Sequence, residues 1–432
     1  MSRRAGFKAG TPAAAGAAIA AIAIAVLAFG CRQTAPPPPE PLAIDPPALA
    51  GALGASWASV EGSPVLSWLE PVPGANLPEG GKGRYRLRVS RFQASSWTAP
   101  ATVTEGEGFF ANWADFPAVA SNGRHAVAHW LAVEGADKYA YSIALAGSAD
   151  AGATWSPLGK LPADDVEAEH GFVSWLAEPG PGAGLRAFWL DGRGMPGGGP
   201  MTLRSARVDP TAGSSNEELL DDRVCDCCQT DAAMTSDGPV VVYRDRSPEE
   251  VRDIAIRRLT AAGWSEATRV HADGWHIEGC PVNGPAVAAL GRRVAVAWFT
   301  GAPTPRVLLA FSEDSGATFA PPIPLDTDKP LGRVDLVLDP RGNAIVSWLG
   351  HDPVDPARSA LRLRRLDPSA PAGAAITVST TSADRASGFP RLLLADGEQL
   401  LIAWVQPGSA GARLRAVRMG LGSLAPAVQA AP

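Results

Sequence analysis

The fold is decided by Ser148-Ala-Asp150-Ala-Gly152-Ala-Thr154-Trp155, which recurs as Ser312-Glu-Asp314-Ser-Gly316-Ala-Thr318-Phe319. Both copies fit the pattern S-x-D-x-G-x-T-[WF]. The serine and aspartate side chains of such a run can hydrogen-bond nearby backbone N–H groups and close a turn. The glycine can adopt the positive φ at which the chain reverses, and the final aromatic residue re-enters a sheet. The pattern therefore predicts a tight connection between two β-strands.

A short β-rich run that ends in an aromatic residue recurs along the rest of the chain. Its copies, spaced 50 to 62 residues apart, are Val65–Trp68, Ala126–Trp130, Leu185–Trp189, Val240–Tyr243, Val294–Trp298, Ala344–Trp348 and Leu400–Trp404. Other β-rich runs flank each copy, separated by Gly, Pro and Asp, so each repeat predicts four antiparallel strands. Such repeats form the blades of a β-propeller. We predict an all-β propeller with seven blades favoured, and six possible if a terminal copy is incomplete.

The two octapeptides resemble the Asp-box, or BNR repeat, of sialidase-like β-propellers. The resemblance covers most of residues 50–425 as an architecture, whereas its specific motifs cover 16 residues. It implies that the octapeptides are structural, because in sialidase-like folds the box lies on the rim, away from the active site. We therefore assign a structural role to Ser148, Asp150, Gly152, Trp155, Ser312, Asp314, Gly316 and Phe319.

Sialidase chemistry would require an arginine cluster, a tyrosine nucleophile with an acidic partner, and an acid/base aspartate. The F-R-I-P motif of the family is missing, and no tyrosine follows Tyr243, although the family's nucleophile comes late in the chain. Tyr243 itself occupies the aromatic position of the repeat, which favours a packed strand residue. The remaining catalytic candidates are weak, and with Tyr243 they are Asp231, Asp245, Asp335 and Arg391.

The N-terminus has the features of a targeting segment. Arg3, Arg4 and Lys8 precede an uncharged apolar run, which ends at Leu27-Ala28-Phe29-Gly30-Cys31. This ending resembles a bacterial lipobox, in which Cys31 would be lipidated and become the mature N-terminus. An uncleaved transmembrane anchor is the alternative, because the run is nearly long enough to span a bilayer. Either reading makes the membrane a partner and predicts a lipoprotein or anchored protein of the bacterial cell envelope, on the outer membrane or facing the periplasm.

These features divide the chain into four parts. Residues 1–30 are the predicted signal peptide, and residues 31–49 are the lipidated cysteine and a proline-rich linker. Residues 50–426 are the propeller, and residues 427–432 are a C-terminal tail. The 432 residues are 46% hydrophobic, which is enough for a large core. The net charge of −6 argues against nucleic acid as a partner.

The most unusual local feature is a cysteine cluster, Cys225-Asp-Cys227-Cys228, with a further cysteine at Cys280. Both segments precede the first strand of a repeat, the fourth and the fifth, so the four cysteines can converge. Four cysteines in an oxidising compartment predict two disulfides, with Cys280 bonded to one of the cluster. The alternative is a thiolate site for Cu(I) or Zn(II), with His271 or His276 as a further ligand. The run has the form C-x-C-C, and zinc sites usually have two cysteines in the form C-x₂-C. We therefore favour no metal and predict no cofactor.

Several polar residues precede or follow the predicted inner strands and could surround one end of the axial channel. The aspartates are Asp115, Asp231 and Asp335, which are expected to cap turns and pair with arginines. The predicted binding residues are Arg244, Arg246, Asn283 and Arg333. The charged run from Tyr243 to Asp253 and the two cysteine-containing loops are expected to meet.

Three functions therefore remain in view. The first is an extracytoplasmic propeller that binds a glycan, a peptide or a partner protein without catalysis. The second is an exo-glycosidase related to sialidases, which requires two carboxylates roughly 5–9.5 Å apart in one cleft. The third is a thiolate metal-binding protein of the envelope. No Walker loop, G-x-S-x-G elbow or Rossmann fingerprint occurs in the sequence.

Overall fold

The structure is a computed structural model that describes residues 40–74, 82–135, 137, 139–180, 184–368 and 373–424. The predicted signal peptide, Cys31, the tetraproline run and the tail at 427–432 lie outside the described residues. The described part is all-β, apart from the short 3₁₀ helices Met195–Gly197, Arg385–Ser387 and Leu421–Leu424. None of the helices it contains has the length and apolarity needed to cross a membrane.

The strands form groups of four or five in chain order, which we call blades. Blade 1 contains β2 (Leu53–Val60), β3 (Ser63–Pro71), β4 (Lys82–Gln93), β5 (Ser96–Trp97) and β6 (Ala101–Phe110). Blade 2 contains β7 (Ala118–Asn122), β8 (His125–Val133), β9 (Tyr141–Ser148) and β10 (Ser156–Leu161). Blade 3 contains β11 (His170–Ala177), β12 (Leu185–Asp191), β13 (Thr202–Asp209) and β14 (Gly213–Asp221).

The remaining blades follow the same order. Blade 4 contains β15 (Asp231–Thr235), β16 (Gly238–Arg244), β17 (Ile254–Thr260), β18 (Gly263–Trp264) and β19 (Thr268–Arg269). Blade 5 contains β20 (Ala286–Leu290), β21 (Arg293–Thr300), β22 (Arg306–Ser312) and β23 (Ile323–Asp326). Blade 6 contains β24 (Gly332–Leu338), β25 (Ala344–His351), β26 (Arg358–Leu366) and β27 (Ile376–Ser382). Blade 7 contains β28 (Arg391–Ala395), β29 (Gln399–Gln406), β30 (Arg413–Gly420) and β1 (Leu42–Ala43).

The first strands of the blades surround one axis. Contacts run from β2 to β7, β11, β15, β20, β24 and β28, and then back to β2. All strand pairings within the blades are antiparallel, and a single residue pair, Phe109 with Ala132, joins blades 1 and 2 into one nine-stranded sheet. Counting that sheet as two blades, we count seven in the described part of the chain. The predicted all-β propeller of four-stranded antiparallel blades is confirmed.

The N-terminal strand β1 corrects the predicted domain boundary. Leu42 pairs with Arg418 and Ala43 pairs with Val417, so β1 is the outer strand of blade 7. Ile44 is 8% exposed, and its carbonyl accepts a hydrogen bond from Trp97 Nε1 in blade 1 at 2.8 Å. The sequence predicts that residues 42–49 belong to the linker. A strand of two residues cannot be recognised within a proline-rich segment. The ring needs this strand, since blade 7 supplies only three of its own.

The aromatic residues of the repeat lie near the ends of the second strands and pack in the core between blades. Trp68, Trp189, Trp298 and Trp348 are all 0% exposed. Each indole N–H donates to a carboxylate, and the acceptors are Glu70, Asp191, Asp273 and Asp326 at 2.7 to 3.1 Å. An indole buried without a partner for its N–H would forfeit a hydrogen bond to water, so these carboxylates allow the ring to be buried completely.

The two octapeptides are the turns between the third and fourth strands of blades 2 and 5. In the first turn, Gly152 N–H donates to Ser148 Oγ at 2.8 Å, and Thr154 N–H donates to Asp150 Oδ1 at 2.9 Å. The second turn repeats both bonds, from Gly316 to Ser312 at 2.9 Å and from Thr318 to Asp314 at 2.8 Å. Hydrogen bonds from Thr154 lower the pKa of Asp150 to about 2. Gly152 has φ of 84° and Gly316 has φ of 81°, a region that other residues rarely adopt.

Antiparallel topology separates these turns from the other loops. The first strand of each blade begins at one end of the propeller, which we call the upper end. Loops that lead into a first strand, and loops that join a second strand to a third, must both lie there. The third strand runs in the same direction as the first, so the octapeptide turns lie at the opposite, lower end. Chemistry carried by the loops before the first strands is therefore far from the octapeptides.

Candidate functional site

An axial cavity of about 340 Å³ opens among the first strands. Its walls come from blades 1, 2, 3, 4 and 7, and it includes residues of the loops that precede β7 and β15. The polar residues that line it are Ser56, Ser59, Asp115, Ser121, Ser174, Gln229, Thr230, Asp231 and Arg391. Its volume is within the range of small-ligand pockets, toward the lower limit.

Three aspartates at the upper end connect neighbouring blades. The N–H of Phe172 donates to Asp115 at 2.8 Å. The same bond runs from Val287 to Asp231 at 2.7 Å, and from Leu392 to Asp335 at 2.6 Å. Each donor belongs to the first strand of the next blade. The sequence predicts that these carboxylates cap turns and pair with arginines, whereas in the structure they bond across blades. Among the described residues, only Asp335 of the three also contacts an arginine, Arg391 at 3.5 Å.

Burial changes the acidity of these groups. It raises the pKa of Asp115 well above the ordinary range and also raises the pKa of Asp335. For Asp231, burial raises the pKa to about 7, although the charge of Arg391 acts in the opposite direction. Asp115 and Asp335 are almost completely buried, at 2% and 5% exposure, whereas Asp231 retains more contact with solvent at the cavity wall. Asp231 is thus the least buried of the three residues, and it lines the cavity.

Arg391 is the cation of the cavity. Its side chain is 28% exposed, and its guanidinium lies 5.4 Å from the centre of the Phe116 ring. Apart from the ion pair with Asp335, its guanidinium has no hydrogen bond to the residues that the structure describes. It is therefore positioned to donate to a ligand in the cavity, next to an aromatic ring and beside Asp231.

The predicted binding residues Arg244 and Arg333 have a different role. Arg244 is 1% exposed and donates to the carbonyl oxygens of Arg252, Asn283 and Phe299 at 2.7 to 3.1 Å. Its guanidinium also stacks over Trp275 at 4.8 Å. Arg333 is 5% exposed, and it donates to Ser387 Oγ at 2.6 Å and to two backbone carbonyls. The donors of Arg244 are occupied inside the protein, and Arg333 uses Nη1 for its three bonds, so both buried arginines hold loops in place.

The other two predicted binding residues also bond within the protein. Asn283 accepts from the N–H of Arg333 at 2.7 Å, and its amide group donates to two backbone carbonyls. Arg246 pairs with Glu250 at 2.8 Å and lies 3.8 Å from Asp226. Neither residue lines the cavity.

Tyr243 and Asp245 are not brought to the cavity. Tyr243 is 0% exposed, and its hydroxyl donates to Asp221 Oδ2 at 2.5 Å. Asp245 is partly buried, and its carboxylate accepts from the N–H of Arg246 at 2.7 Å. Of the five catalytic candidates, the structure therefore places Asp231 and Arg391 at the cavity wall, with Asp335 behind Arg391.

A tyrosine–glutamate pair was missed from the sequence. Tyr141 Oη donates to Glu169 Oε1 at 2.8 Å, across 28 residues of sequence. Tyr141 is 1% exposed, and burial together with the charges of Asp115 and Glu169 raises its pKa well above the ordinary value. Burial also raises the pKa of Glu169 to about 7. A phenol that acts as a nucleophile needs a lowered pKa, whereas the pKa of Tyr141 is raised. The pair therefore has the residue types of a sialidase nucleophile and its acidic partner, but not the acidity that the nucleophile needs.

The cysteine loops converge at the upper end, beside the charged run. Cys225 Sγ lies 3.4 Å from Cys228 Sγ and 3.9 Å from Cys227 Sγ, and these three cysteines are buried. Cys280 is exposed and its Sγ lies within 4.8 Å of that of Cys227. All four are free thiols in the structure, which therefore does not show the two predicted disulfides. Cys225 and Cys228 are separated by two residues and so have the C-x₂-C spacing of zinc ligands. The pattern C-x-C-C does not reveal this spacing.

Two arginines and two carboxylates surround the thiols. Arg252, 3% exposed, lies with Nη1 3.3 Å from both Cys225 Sγ and Asp226 Oδ1, and it pairs with Glu250 at 2.7 Å. Arg246 pairs with the same Glu250. The charged run and both cysteine loops therefore meet, as the sequence indicated. The histidines proposed as further ligands bond elsewhere: His271 contacts Asp273 at 2.9 Å, and His276 pairs with Val251 through its backbone.

Comparisons with known proteins extend to the fold alone. No family model matches the sequence, and no curated protein matches it. Among solved structures, the BP39L lectin from Burkholderia pseudomallei is 14% identical with a TM-score of 0.59, and the match covers 85% of this chain and 95% of the lectin.

Two glycoside hydrolases are also among the structural neighbours. An α-L-arabinanase from Penicillium chrysogenum is 13% identical with a TM-score of 0.46, covering 90% of this chain and 100% of that one. The Hadza microbial sialidase Hz136 is 14% identical with a TM-score of 0.41, covering 70% and 63%. No sequence family and no BNR repeat is matched.

Proposed function

We propose that this protein is a lipid-anchored propeller of the bacterial cell envelope that binds a glycan in its axial cavity without hydrolysing it. The observation that carries the proposal is Arg391. Its guanidinium has donors to spare and lies beside an aromatic ring, Phe116, and a protonatable carboxyl group, Asp231. Sugar hydroxyls both donate and accept hydrogen bonds, and sugar faces pack on aromatic rings, so this set suits a glycan. The similarity to a lectin supports the fold in which such a site would form.

Binding is favoured over hydrolysis because the candidate catalytic groups are buried or already hydrogen-bonded within the protein. The phenol of Tyr141 is buried and its acidity is suppressed. Asp115 and Asp335 are almost completely buried and, like Asp231, accept a hydrogen bond from a backbone N–H of the next blade. Asp231 is the observation that favours the second candidate, a glycosidase, because a carboxyl group with a pKa of about 7 can act as a general acid near neutral pH.

Arg391→Ala tests the proposal. The full-length protein is screened on a glycan array, and the affinity of the best glycan is measured by calorimetry. Loss of hydrogen bonds from a charged donor, each worth about 1.5–3 kcal/mol, predicts at least a tenfold weaker affinity. Arg292→Ala is the control, because the side chain of Arg292 is 60% exposed and outside the cavity. Equal affinities of the two variants, or an array without any bound glycan, would contradict the proposal.

The same preparations separate the two candidate functions. Incubation with aryl glycosides is expected to release no product above the buffer blank. Product release that disappears in Asp231→Asn would instead establish the glycosidase.

Anchoring by Cys31 is a separate part of the proposal and rests on the sequence alone. When the full gene is expressed in a bacterium fed an alkyne-bearing fatty acid, the wild-type protein is expected to carry the label and to sediment with membranes. Cys31→Ala removes the thiol that would be acylated, so the label should be lost. Label that persists in Cys31→Ala would show that this cysteine is not the acylation site.

A further inference from the structure

We propose that Cys225, Cys227, Cys228 and Cys280 bind one thiophilic metal ion, Zn(II) or Cu(I), at the upper end of the propeller. None of the four cysteines lines the axial cavity, so the metal site is distinct from the proposed glycan site. Thiolates are the protein ligands that these two ions share.

The spacing of the sulfur atoms fits a metal ion. In a tetrahedral zinc site with Zn–S bonds of about 2.3 Å, the sulfurs are about 3.8 Å apart. The distances from Cys225 Sγ to its two neighbours, 3.4 and 3.9 Å, bracket this value. Cys227 is also grouped with Cys280 and Asp226, whose ligand atoms lie within 4.8 Å of one another. Cys227 is therefore shared by two groups of potential ligands, and small movements of the Cys280 loop would complete four sulfur ligands.

The charges around the thiols provide an independent observation. Arg252 directs a guanidinium N–H at Cys225 Sγ from 3.3 Å. Arg244 is 1% exposed and has no carboxylate within 4 Å among the residues that the structure describes. It lies beside the start of the Cys225 loop, because the N–H of Cys225 donates to the backbone carbonyl of Arg244 at 3.0 Å. A buried cation is costly unless negative charge lies nearby. Four thiolates around Zn(II) carry a net charge of about −2, and around Cu(I) a larger one, which these arginines would offset.

Metal binding also explains how the thiols can coexist in an oxidising compartment. Ligation requires each thiol to lose its proton to solvent, and the bound thiolates are then unavailable for disulfide formation. The competing state is a pair of disulfides, which would leave Arg244 without negative charge nearby, whereas Arg252 would keep its ion pairs with Glu250 and Asp226.

The test begins with metal content. Full-length protein purified from the bacterial envelope is analysed by elemental mass spectrometry, and we expect about one equivalent of zinc or copper per chain. After chelation and reduction under argon, the apoprotein is titrated with Co(II), whose thiolate charge-transfer bands report sulfur ligation. Competition by Zn(II) and by Cu(I) then shows which ion binds more tightly.

Two substitutions are designed to separate ligation from folding. Cys280→Ser alters an exposed side chain, so its circular dichroism and melting curve should match the wild type while its metal affinity falls at least tenfold. Arg292→Ala is the control, because this exposed side chain lies in the turn between β20 and β21, at the lower end, and its loss is expected to leave metal affinity unchanged. Glycan affinity measured on Cys280→Ser is expected to be unchanged, which keeps this test independent of the proposed function.

Three results would overturn the inference. The first is reduced apoprotein that takes up none of the three ions. The second is equal metal affinity in Cys280→Ser and Arg292→Ala. The third is protein from the envelope whose four propeller cysteines are found as disulfides with no bound metal.

Discussion

Replacing Arg244 with methionine is expected to lower the free energy of unfolding by about 3–5 kcal/mol, the cost typical of removing one partner from a buried charged network. Methionine fills part of the space but donates no hydrogen bond. The carbonyls of Arg252, Asn283 and Phe299 would each lose a donor while remaining buried, and such groups cost about 1–3 kcal/mol apiece. Because these carbonyls belong to three segments, the charged run, the Cys280 loop and β21 should loosen together.

Equilibrium unfolding in urea, followed by circular dichroism, measures this effect. Arg292→Met is the control: the side chain of Arg292 is 60% exposed, and its change should stay within about 0.5 kcal/mol. If Arg244→Met unfolds at the same urea concentration as the control, the loops do not depend on Arg244. Limited proteolysis provides a local readout, with new cleavage expected between residues 271 and 283 before the rest of the propeller unfolds.

Replacing Trp348 with alanine is expected to cost about 3–5 kcal/mol, because the ring is 0% exposed and fills the space between blades 5 and 6. Trp348→Phe separates packing from hydrogen bonding. It keeps most of the apolar contact but removes the donor to Asp326, 2.7 Å away, and should cost about 1–3 kcal/mol.

The matched control is Trp404→Phe in blade 7. Trp404 occupies the same place in the repeat, but its indole N–H donates to a neutral amide, Gln406, at 3.3 Å. A hydrogen bond to a neutral group is weaker than one to a carboxylate, so this change should cost less than Trp348→Phe. Unfolding in urea compares the two, and equal costs would show that the carboxylate acceptors add nothing to the burial of the indole.

The sequence predicted what depends on neighbouring residues. Each run that ends in an aromatic residue is the second strand of its blade. These strands were predictable because the β-rich residues and the final Trp or Tyr occur within four or five consecutive positions. The octapeptide turns were also predictable, since the side chains of Ser148 and Asp150 bond to each other and to Gly152 and Thr154 within the octapeptide. In both cases the partners of each group are within reach along the chain.

The candidate site was less predictable, because its contacts span whole blades. Asp231 accepts from Val287, 56 residues away, and Arg244 donates to Asn283 and Phe299, 39 and 55 residues away. An arginine at the end of a strand looks the same in sequence whether it faces solvent or is buried, so the sequence alone predicts Arg244 and Arg333 as ligand-binding residues. The Tyr141–Glu169 pair was missed because the two residues lie on different blades and fit no motif.

Strand β1 has a consequence for the order in which the molecule is built. Asp45, which follows β1, accepts a hydrogen bond from the N–H of Ala416, 371 residues later, and β1 pairs with β30, the last strand of the described residues. Blades 1 to 6 can form as synthesis proceeds, whereas the ring stays open until β30 is complete. Closing so long a loop is entropically costly and slow. A nascent chain that stalls before residue 413 would therefore leave the edges of blades 7 and 1 exposed, where a quality-control protease or another chain could bind.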